Sequence, residues 1–236
     1  MGRKAAADVS AAIRELLGRK AEIGMIFAAA PSQNEFLSAL IADTSIPWKR
    51  INAFHMDEYI GLSPDAPQGF GNFLKERLFD KVSFKQVCYI PNEATDPRSA
   101  CAEYTCLLMA KGVDIVCMGI GENGHIAFND PHVADFNDPE KMKVVDLDPQ
   151  CRQQQVNDGC FSSLDEVPKQ AFTLTIPVLV SAPYTFCIVP AGTKVKAVYN
   201  TLYAPVCAEY PSTILRRKEN AQLYLDDESA LLINKS

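Results

Sequence analysis

The chain has 236 residues, of which 47% are hydrophobic and 22% charged, and its formal net charge is −6. This composition supports a full hydrophobic core and excludes a disordered chain. The negative charge argues against nucleic-acid binding, and no run approaches the roughly 18 apolar residues that cross a membrane. The basic start is not followed by the apolar core of a signal peptide. We therefore expect a single domain over residues 1–236, located in the cytoplasm.

The eight cysteines include no Cys-x-x-Cys pair, and several lie inside apolar runs, as Cys187 does. This pattern favours small buried hydrophobic residues in a reducing compartment. A zinc site is the weaker interpretation, because neither the cysteine spacing nor the three histidines match one. We expect no metal.

Short apolar runs alternate with helical patterns along the chain, in the following order. Predicted helices and strands cover 5–17 (helix), 23–28 (strand), 31–40 (helix), 50–55 (strand), 69–79 (helix), 86–90 (strand), 100–111 (helix), 113–118 (strand), 143–147 (strand), 172–176 (strand), 184–189 (strand), 194–202 (helix) and 221–225 (strand). Ser32 and Glu35 have the spacing of a capping box. The alternation predicts an α/β fold, a three-layer α/β/α domain with a mostly parallel, doubly wound, Rossmann-like sheet.

The stretch Gly119–Pro131 follows one of these strands, where ligands of open α/β sheets bind. Its first six residues match Gly-x-Gly-x-x-Gly, but Pro131 interrupts the helix that a dinucleotide site needs. The glycines more simply let a ligand approach the backbone. His125 is either a structural histidine or a general acid–base, with Asp130 fixing its tautomer.

A second strand leads into Asp57 and Glu58, which lie between Met56 and Tyr59. Two adjacent acids at a strand end are either a solvated turn or a carboxylate base in a partly apolar pocket. In the second case burial would adjust the carboxylate for removing a proton next to a carbonyl.

Two strand-to-helix turns have the character of phosphate sites. Residues 28–33, which include Ala30, Ser32 and Gln33, place small residues before a helix N-terminus, which favours anions. In the second turn Lys194 lies in the first turn of a helix, where a cation is unfavourable unless an anion binds beside it. A solvated lysine is the alternative.

Together, Met56–Leu62 and Gly121–Pro131 resemble signatures of the glucosamine-6-phosphate deaminase (isomerase) family, within the 6-phosphogluconolactonase superfamily. The resemblance extends from about Ile23 to Leu225. Lactonases carry a different sequence after each motif. The resemblance implies an enzyme that converts a 2-amino-2-deoxyhexose 6-phosphate, such as glucosamine 6-phosphate, to a ketohexose 6-phosphate plus ammonia. It implies no cofactor or metal, and leaves a homo-oligomer open.

The resemblance also implies roles for individual residues. Asp57 would carry a proton between C2 and C1, His125 would open the sugar ring, and Asp130 would orient His125. The substrate and its 6-phosphate would contact residues around the two turns. The implied binding set is Ala30, Ser32, Gln33, Gly121, Lys194 and, as the nearest candidate for a phosphate-binding arginine, Arg152.

Three positions depart from the family pattern. Asn123 stands where the family usually has Asp, Asp130 stands for the usual Glu, and the first turn is Ala-Ala-Pro-Ser-Gln rather than rich in Gly and Thr. The Asn123 amide belongs to the predicted catalytic set, yet it cannot take a proton at neutral pH. Either Glu122 substitutes for it, or the substrate differs. A lactonase-type hydrolase and a non-catalytic sugar-phosphate-binding protein are the alternative functions.

Overall fold

The computed structural model describes residues 1–233. The α-helices are α1 (Gly2–Leu17), α2 (Asn34–Ala42), α3 (Phe70–Leu74), α4 (Pro97–Lys111), α5 (Pro149–Asn157), α6 (Ile176–Ser181) and α7 (Val195–Tyr203). The strands are β1 (Ile23–Phe27), β2 (Ile51–His55), β3 (Asp57–Tyr59), β4 (Gln86–Cys88), β5 (Ile115–Met118), β6 (Met142–Asp146), β7 (Gln170–Leu174), β8 (Tyr184–Val189) and β9 (Ala221–Leu225). No helix within residues 1–233 is long and apolar enough to span a membrane.

Six strands form the main sheet in the order β4-β2-β1-β5-β8-β9, and every neighbouring pair is parallel. The strand order reverses between β1 and β5, so the crevice beyond their carboxyl ends is the switch point where ligands of such sheets bind. The predicted three-layer α/β/α architecture is confirmed.

Helices cover both faces of this sheet because its strands are apolar on both sides. Met25 and Phe27 of β1 face a core built with α1 and α2, whereas Ile26 between them faces a core built with α4, α6 and α7. This alternation follows from the period of two along a strand. Near-continuous apolar strands are typical of parallel sheets buried on both faces.

A second, antiparallel sheet of order β3-β7-β6 was not expected from the sequence. The strands predicted at 143–147 and 172–176 exist, but they pair with each other and with Asp57–Tyr59 rather than joining the main sheet. In the register of this sheet Asp57 lies opposite Thr173. The acids at the end of β2 are therefore held in a short strand, and a solvated turn is excluded.

Two predicted helices differ in detail. The first begins as a 3-10 turn over Pro31–Gln33, and the Ser32 side chain makes no capping bond. Glu35 accepts the N–H of Gly2 at 3.2 Å instead of closing a capping box. The helix predicted at 69–79 changes from α3 to a π-helical turn at Lys75–Phe79.

Helix α5 was missed because its polar sequence has no apolar stripe. Its start does carry a signal, since Asp148 precedes Pro149 and accepts the N–H of Gln150 at 2.7 Å. The cysteines form no disulfide within residues 1–233. Cys187 is buried as expected, whereas Cys106 is exposed, contrary to the expectation for the set.

Candidate active site

The predicted site segments follow the carboxyl ends of four adjacent strands, β2, β1, β5 and β8. The Gln33 side chain is 1% exposed and ties two of these ends together. Its Nε2 donates to the carbonyl of Ile188 at 3.1 Å and to Ser32 Oγ at 3.2 Å. Parallel pairing therefore places the motifs at one edge of the sheet. Gln33 attaches the 28–33 turn to the end of β8.

The glycines of the 119–131 loop leave the space that the His125 imidazole occupies. A Cβ on Gly121 would lie 2.1 Å from His125 Cε1, so any side chain there would displace the ring. Gly124 adopts φ 87°, a conformation that favours glycine. The N–H of Gly121 donates to the carbonyl of His125 at 2.9 Å, and the N–H of Gly124 donates to that of Gly121 at 3.0 Å. The loop thus forms a compact turn around the histidine.

His125, Asn123 and Asp130 form one hydrogen-bonded network. His125 Nδ1 lies 2.8 Å from Asn123 Oδ1 and 2.9 Å from Asp130 Oδ1. Asn123 Nδ2 donates to Asp130 Oδ1 at 2.9 Å, and Asn123 Oδ1 accepts the backbone N–H of His125 at 3.0 Å. Because Nδ1 faces two acceptors it carries the proton, which leaves Nε2 available to a ligand.

Asp130 is fully buried below this network. Burial opposes its charged form, but the hydrogen bonds and charge of His125, together with the Asn123 amide, hold the pKa of this carboxyl below its ordinary value. The ionised carboxylate accepts the Nδ1 proton and fixes the orientation of the His125 ring. The His125 side chain is 11% exposed, so it connects the buried acid to the cavity edge.

Asp57 and Glu58 have different environments although they are neighbours. The Glu58 carboxylate accepts the backbone N–H groups of Tyr59, Phe70 and Gly71 at 2.9, 3.0 and 2.8 Å. No hydrogen bond from residues 1–233 reaches the carboxylate of Asp57, which is 7% exposed. Burial, and then the charge of Glu58, raise the pKa of Asp57. Glu58 therefore organises the backbone, and Asp57 is the acid available for chemistry.

His55, to which the sequence analysis assigned no role, supports Asp57 from inside the core. Its Nδ1 donates to the carbonyl of Asp57 at 2.9 Å, and its Nε2 accepts the N–H of Ile90 at 2.9 Å. Burial lowers the pKa of His55 to about 4, with the Asp57 carbonyl opposing the shift. The hydroxyl of Tyr104 also bonds the backbone of His55 on both sides, at 3.1 and 2.8 Å. His55 is thus neutral, with its proton on Nδ1, and its hydrogen bonds hold the backbone of Asp57 and Ile90 in place.

Lys194 lies just beyond β8, at the start of α7, and is 9% exposed. Its Nζ makes no hydrogen bond or ion pair with any residue in 1–233. Burial lowers the pKa of this ammonium, and the charges of Asp158 and Glu122 oppose the shift. Nearby, Ala191 adopts φ 81° with its N–H bonded to Asp226 Oδ2 at 2.9 Å. A strained turn with an unpaired, buried cation is an arrangement suited to an anionic ligand.

Arg152, the predicted phosphate arginine, is largely engaged elsewhere. Its Nη2 donates to the carbonyls of Leu164 and Val167 at 2.5 and 2.8 Å, and its Nε donates to that of Val167 at 3.3 Å. Within residues 1–233 only Nη1 is left for a ligand. The arginine therefore holds the 164–167 segment, and its phosphate role stays a prediction.

Cys151 is a further residue of this region that the sequence analysis placed only among the buried hydrophobic residues. It is 2% exposed, and burial followed by the charge of Asp130 raises the pKa of its thiol. The residues around Cys151 in the sequence do not predict its proximity to Asp130, because α5 and the 119–131 loop meet only in the folded chain.

Comparison with known proteins identifies the family of this chain. The family described as "Glucosamine-6-phosphate isomerases/6-phosphogluconolactonase" matches residues 1–225. A glucosamine-6-phosphate deaminase of Exiguobacterium sibiricum is 36% identical over 187 residues, which cover 79% of this chain and 72% of that protein.

Solved structures of the same family share the fold. A monomeric glucosamine-6-phosphate deaminase superposes with a TM-score of 0.89 at 27% identity, covering 98% of this chain and 95% of the other. A 6-phosphogluconolactonase from Thermotoga maritima reaches 0.74 at 20% identity, covering 93% and 92%, which shows the fold alone. The fold and the acid–histidine edge thus define an α/β protein of the sugar-phosphate isomerase and lactonase class. The chain belongs to the glucosamine-6-phosphate isomerase/6-phosphogluconolactonase family.

Proposed function

We propose that the protein is an amino-sugar-phosphate isomerase/deaminase that converts glucosamine 6-phosphate, or a close epimer, to a ketohexose 6-phosphate and ammonia. The observation that carries the proposal is the different hydrogen bonding of Asp57 and Glu58: the Glu58 carboxylate accepts three backbone N–H groups, and the Asp57 carboxylate accepts none from residues 1–233. A buried carboxylate with a raised pKa and no hydrogen-bond partner in residues 1–233 is suited to proton abstraction. The named deaminases among its relatives support the same activity.

The reaction needs two kinds of proton transfer, and the site offers a group for each. His125, with Nε2 available and Asp130 behind Nδ1, opens the pyranose by exchanging a proton with the ring oxygen. Asp57 then removes the C2 proton of the open-chain amino aldose and returns it to C1, while the amine gives up a proton and O1 takes one up. This shift produces an imine at C2, which water hydrolyses to the ketone and ammonia. Neither step requires a metal or an organic cofactor.

Asn123 has a supporting role in this scheme. Its amide oxygen accepts from His125 and its amide nitrogen donates to Asp130, so it fixes the same tautomer as a carboxylate would without adding charge. Proton exchange then depends on His125 and Asp130 alone. This accounts for the substitution of the family's usual Asp without invoking Glu122 as its replacement.

The 6-phosphate is proposed to bind at the paired turns. Lys194 supplies a cation, and the hydroxyl of Ser32 can donate to an oxyanion because its oxygen already accepts from Gln33. Ala30 presents backbone at the start of the turn, as Gly121 does beside His125. Anchoring the phosphate fixes C1 and C2 against Asp57, and this positioning lowers the barrier to proton transfer. The substrate class fits a cytoplasmic enzyme of sugar metabolism.

Lactone hydrolysis is the second candidate, favoured by one observation. Nε2 of a carboxylate-supported His125 can also activate water for attack on an ester. Parallel assays on glucosamine 6-phosphate, its galacto epimer and 6-phosphogluconolactone separate the candidates. Ammonia and ketose phosphate formed in equal amounts support the deaminase. Lactone hydrolysis without ammonia release supports the hydrolase, and binding of an amino-sugar phosphate with no turnover supports a regulatory protein.

A further inference from the structure

Three side chains with metal-binding atoms meet beside the candidate active site. One atom each from His125, Asp130 and Cys151 lie within 4.8 Å of one another, and the His125 Nδ1–Asp130 Oδ1 pair is at 2.9 Å. The thiol is held there by independent contacts of α5. Asp148 caps the helix at the N–H of Gln150, and Gln154 Oε1 accepts the N–H of Glu122 at 3.1 Å. These contacts tie α5 to the 119–131 loop next to Cys151.

An unpaired polar atom lies in the same cluster. Asp130 is fully buried, and its Oδ1 bonds to His125 and Asn123, but its Oδ2 has no hydrogen-bond partner among residues 1–233. Buried carboxylate oxygens are almost always paired. The Cys151 thiol faces this acid, and burial, followed by the charge and side-chain hydrogen bond of Asp130, raises the pKa of the thiol. A buried carboxylate that meets both a thiol and an imidazole can hold a cation in place of their protons.

The donor set selects the kind of cation. One sulfur, one nitrogen and one oxygen suit a borderline ion such as Zn²⁺, whereas Mg²⁺ and Ca²⁺ prefer oxygen alone. Tetrahedral zinc bonds of about 2.0 to 2.3 Å place neighbouring ligand atoms about 3.5 Å apart. The three ligand atoms already lie within 4.8 Å of one another, which is near that spacing. Three protein ligands also leave one coordination position open.

We infer that His125, Asp130 and Cys151 form a Zn²⁺ site that inhibits the protein when it is occupied. Binding releases one proton to solvent, from the Cys151 thiol, and moves the His125 proton from Nδ1 to Nε2, so that Zn–S and Zn–N bonds form in their place. His125 then loses its hydrogen bond to Asp130 and its freedom to exchange a proton. The site therefore has two states. Without metal, His125 can exchange protons with a ligand, and with Zn²⁺ bound it serves as a metal ligand.

Cobalt titration of the free protein tests this inference directly. Co²⁺ is expected to bind with one-to-one stoichiometry and to show the thiolate charge-transfer band, and added Zn²⁺ should abolish the band. Because this readout needs no turnover, it separates the metal site from the proposed deaminase activity. Absence of any thiolate–cobalt band in the wild-type protein would overturn the inference.

Matched cysteine variants assign the site. Cys151→Ser should remove the band and weaken Zn²⁺ binding by at least about 10-fold, since even loss of outer-shell partners costs that much. Cys160→Ser, which changes a partly buried cysteine nearby, should leave both unchanged. His125→Ala, at a partly exposed side chain, provides a second variant if Cys151→Ser fails to fold. A band that persists in Cys151→Ser, or disappears in Cys160→Ser, contradicts the assignment.

Discussion

The side-chain amide of Asn123 joins His125 to Asp130, with Oδ1 2.8 Å from His125 Nδ1 and Nδ2 2.9 Å from Asp130 Oδ1. An amide suits this position because one end accepts and the other donates. It orients the imidazole while leaving the buried negative charge on Asp130 alone. This neutral link therefore sets the position of the ring without adding a second charge to the site.

Asn123→Asp should change the pH dependence of turnover. The new carboxylate would lie against Asp130 Oδ1 in place of a donor, and two carboxylates in contact cannot both stay ionised. One of the pair takes up a proton with a raised apparent pKa, so the acid limb of kcat should move to higher pH. Steady-state rates between pH 5 and pH 9 measure this shift. An unchanged pH profile of kcat would mean that the side chain at position 123 does not affect the protonation of Asp130.

Asp57→Asn should abolish turnover and retain binding. Loss of a general base costs about 10²- to 10⁴-fold in rate, while the phosphate contacts are untouched. Ammonia release measures the first effect, and thermal stabilisation by glucosamine 6-phosphate measures the second. Asp65→Asn, at an exposed position, is the matched control and should behave as wild type. Activity close to wild type in Asp57→Asn would remove the proposed base.

The same Asp57→Asn variant should be more stable than wild type at neutral pH. The pKa of Asp57 is raised by burial and by Glu58, so the folded protein binds this proton more tightly than the unfolded chain. Its contribution to stability is complete below the unfolded value and is lost as the pH rises through the folded pKa. Urea unfolding at several pH values should show the stability difference growing with pH. A variant less stable than wild type at pH 8 would contradict this.

His55→Phe should destabilise the fold and lower kcat more than it changes KM. The substitution orphans the carbonyl of Asp57 and the N–H of Ile90, at a cost of about 1–3 kcal/mol for each buried group. Asp57 would also lose its placement against C2. Chemical denaturation and steady-state kinetics measure the two effects. His132→Phe removes one exposed bond to the carbonyl of Asp146 at 3.0 Å, and it is the comparison variant that should cost less stability and less kcat than His55→Phe.

Lys194→Met should raise KM for the sugar phosphate, because it removes the buried cation proposed to hold the phosphate. A hydrogen bond to a charged group contributes about 1.5–3 kcal/mol, which corresponds to about a 10- to 150-fold increase. The free protein should become more stable, since an unpaired buried charge is lost. Kinetics and thermal unfolding are to be compared with those of Lys196→Met, at an exposed lysine in the first turn of α7. An unchanged KM would move the phosphate site elsewhere.

Local features of this chain were predictable from its sequence. The strands Tyr184–Val189 and Ala221–Leu225 match their predicted bounds. The first is short and rich in aromatic and β-branched residues, which favours a buried strand. The second is a partly exposed strand at the edge of the sheet. The α/β class and the family followed from the strand–helix alternation and from the 56–62 and 121–131 motifs. Each of these depends on contiguous residues and on the period of local structure.

Contacts between distant segments were decided only by the tertiary structure. Asp57 and Glu58 are adjacent carboxylic acids that the sequence alone does not distinguish. Their hydrogen bonding differs because the fold brings the backbone N–H groups of Phe70 and Gly71 to Glu58. Likewise, Cys151 reaches Asp130 only because α5 packs against the central loop. Burial and hydrogen bonding across long sequence separations set which acid is free and which thiol faces a carboxylate, and no local pattern encodes either.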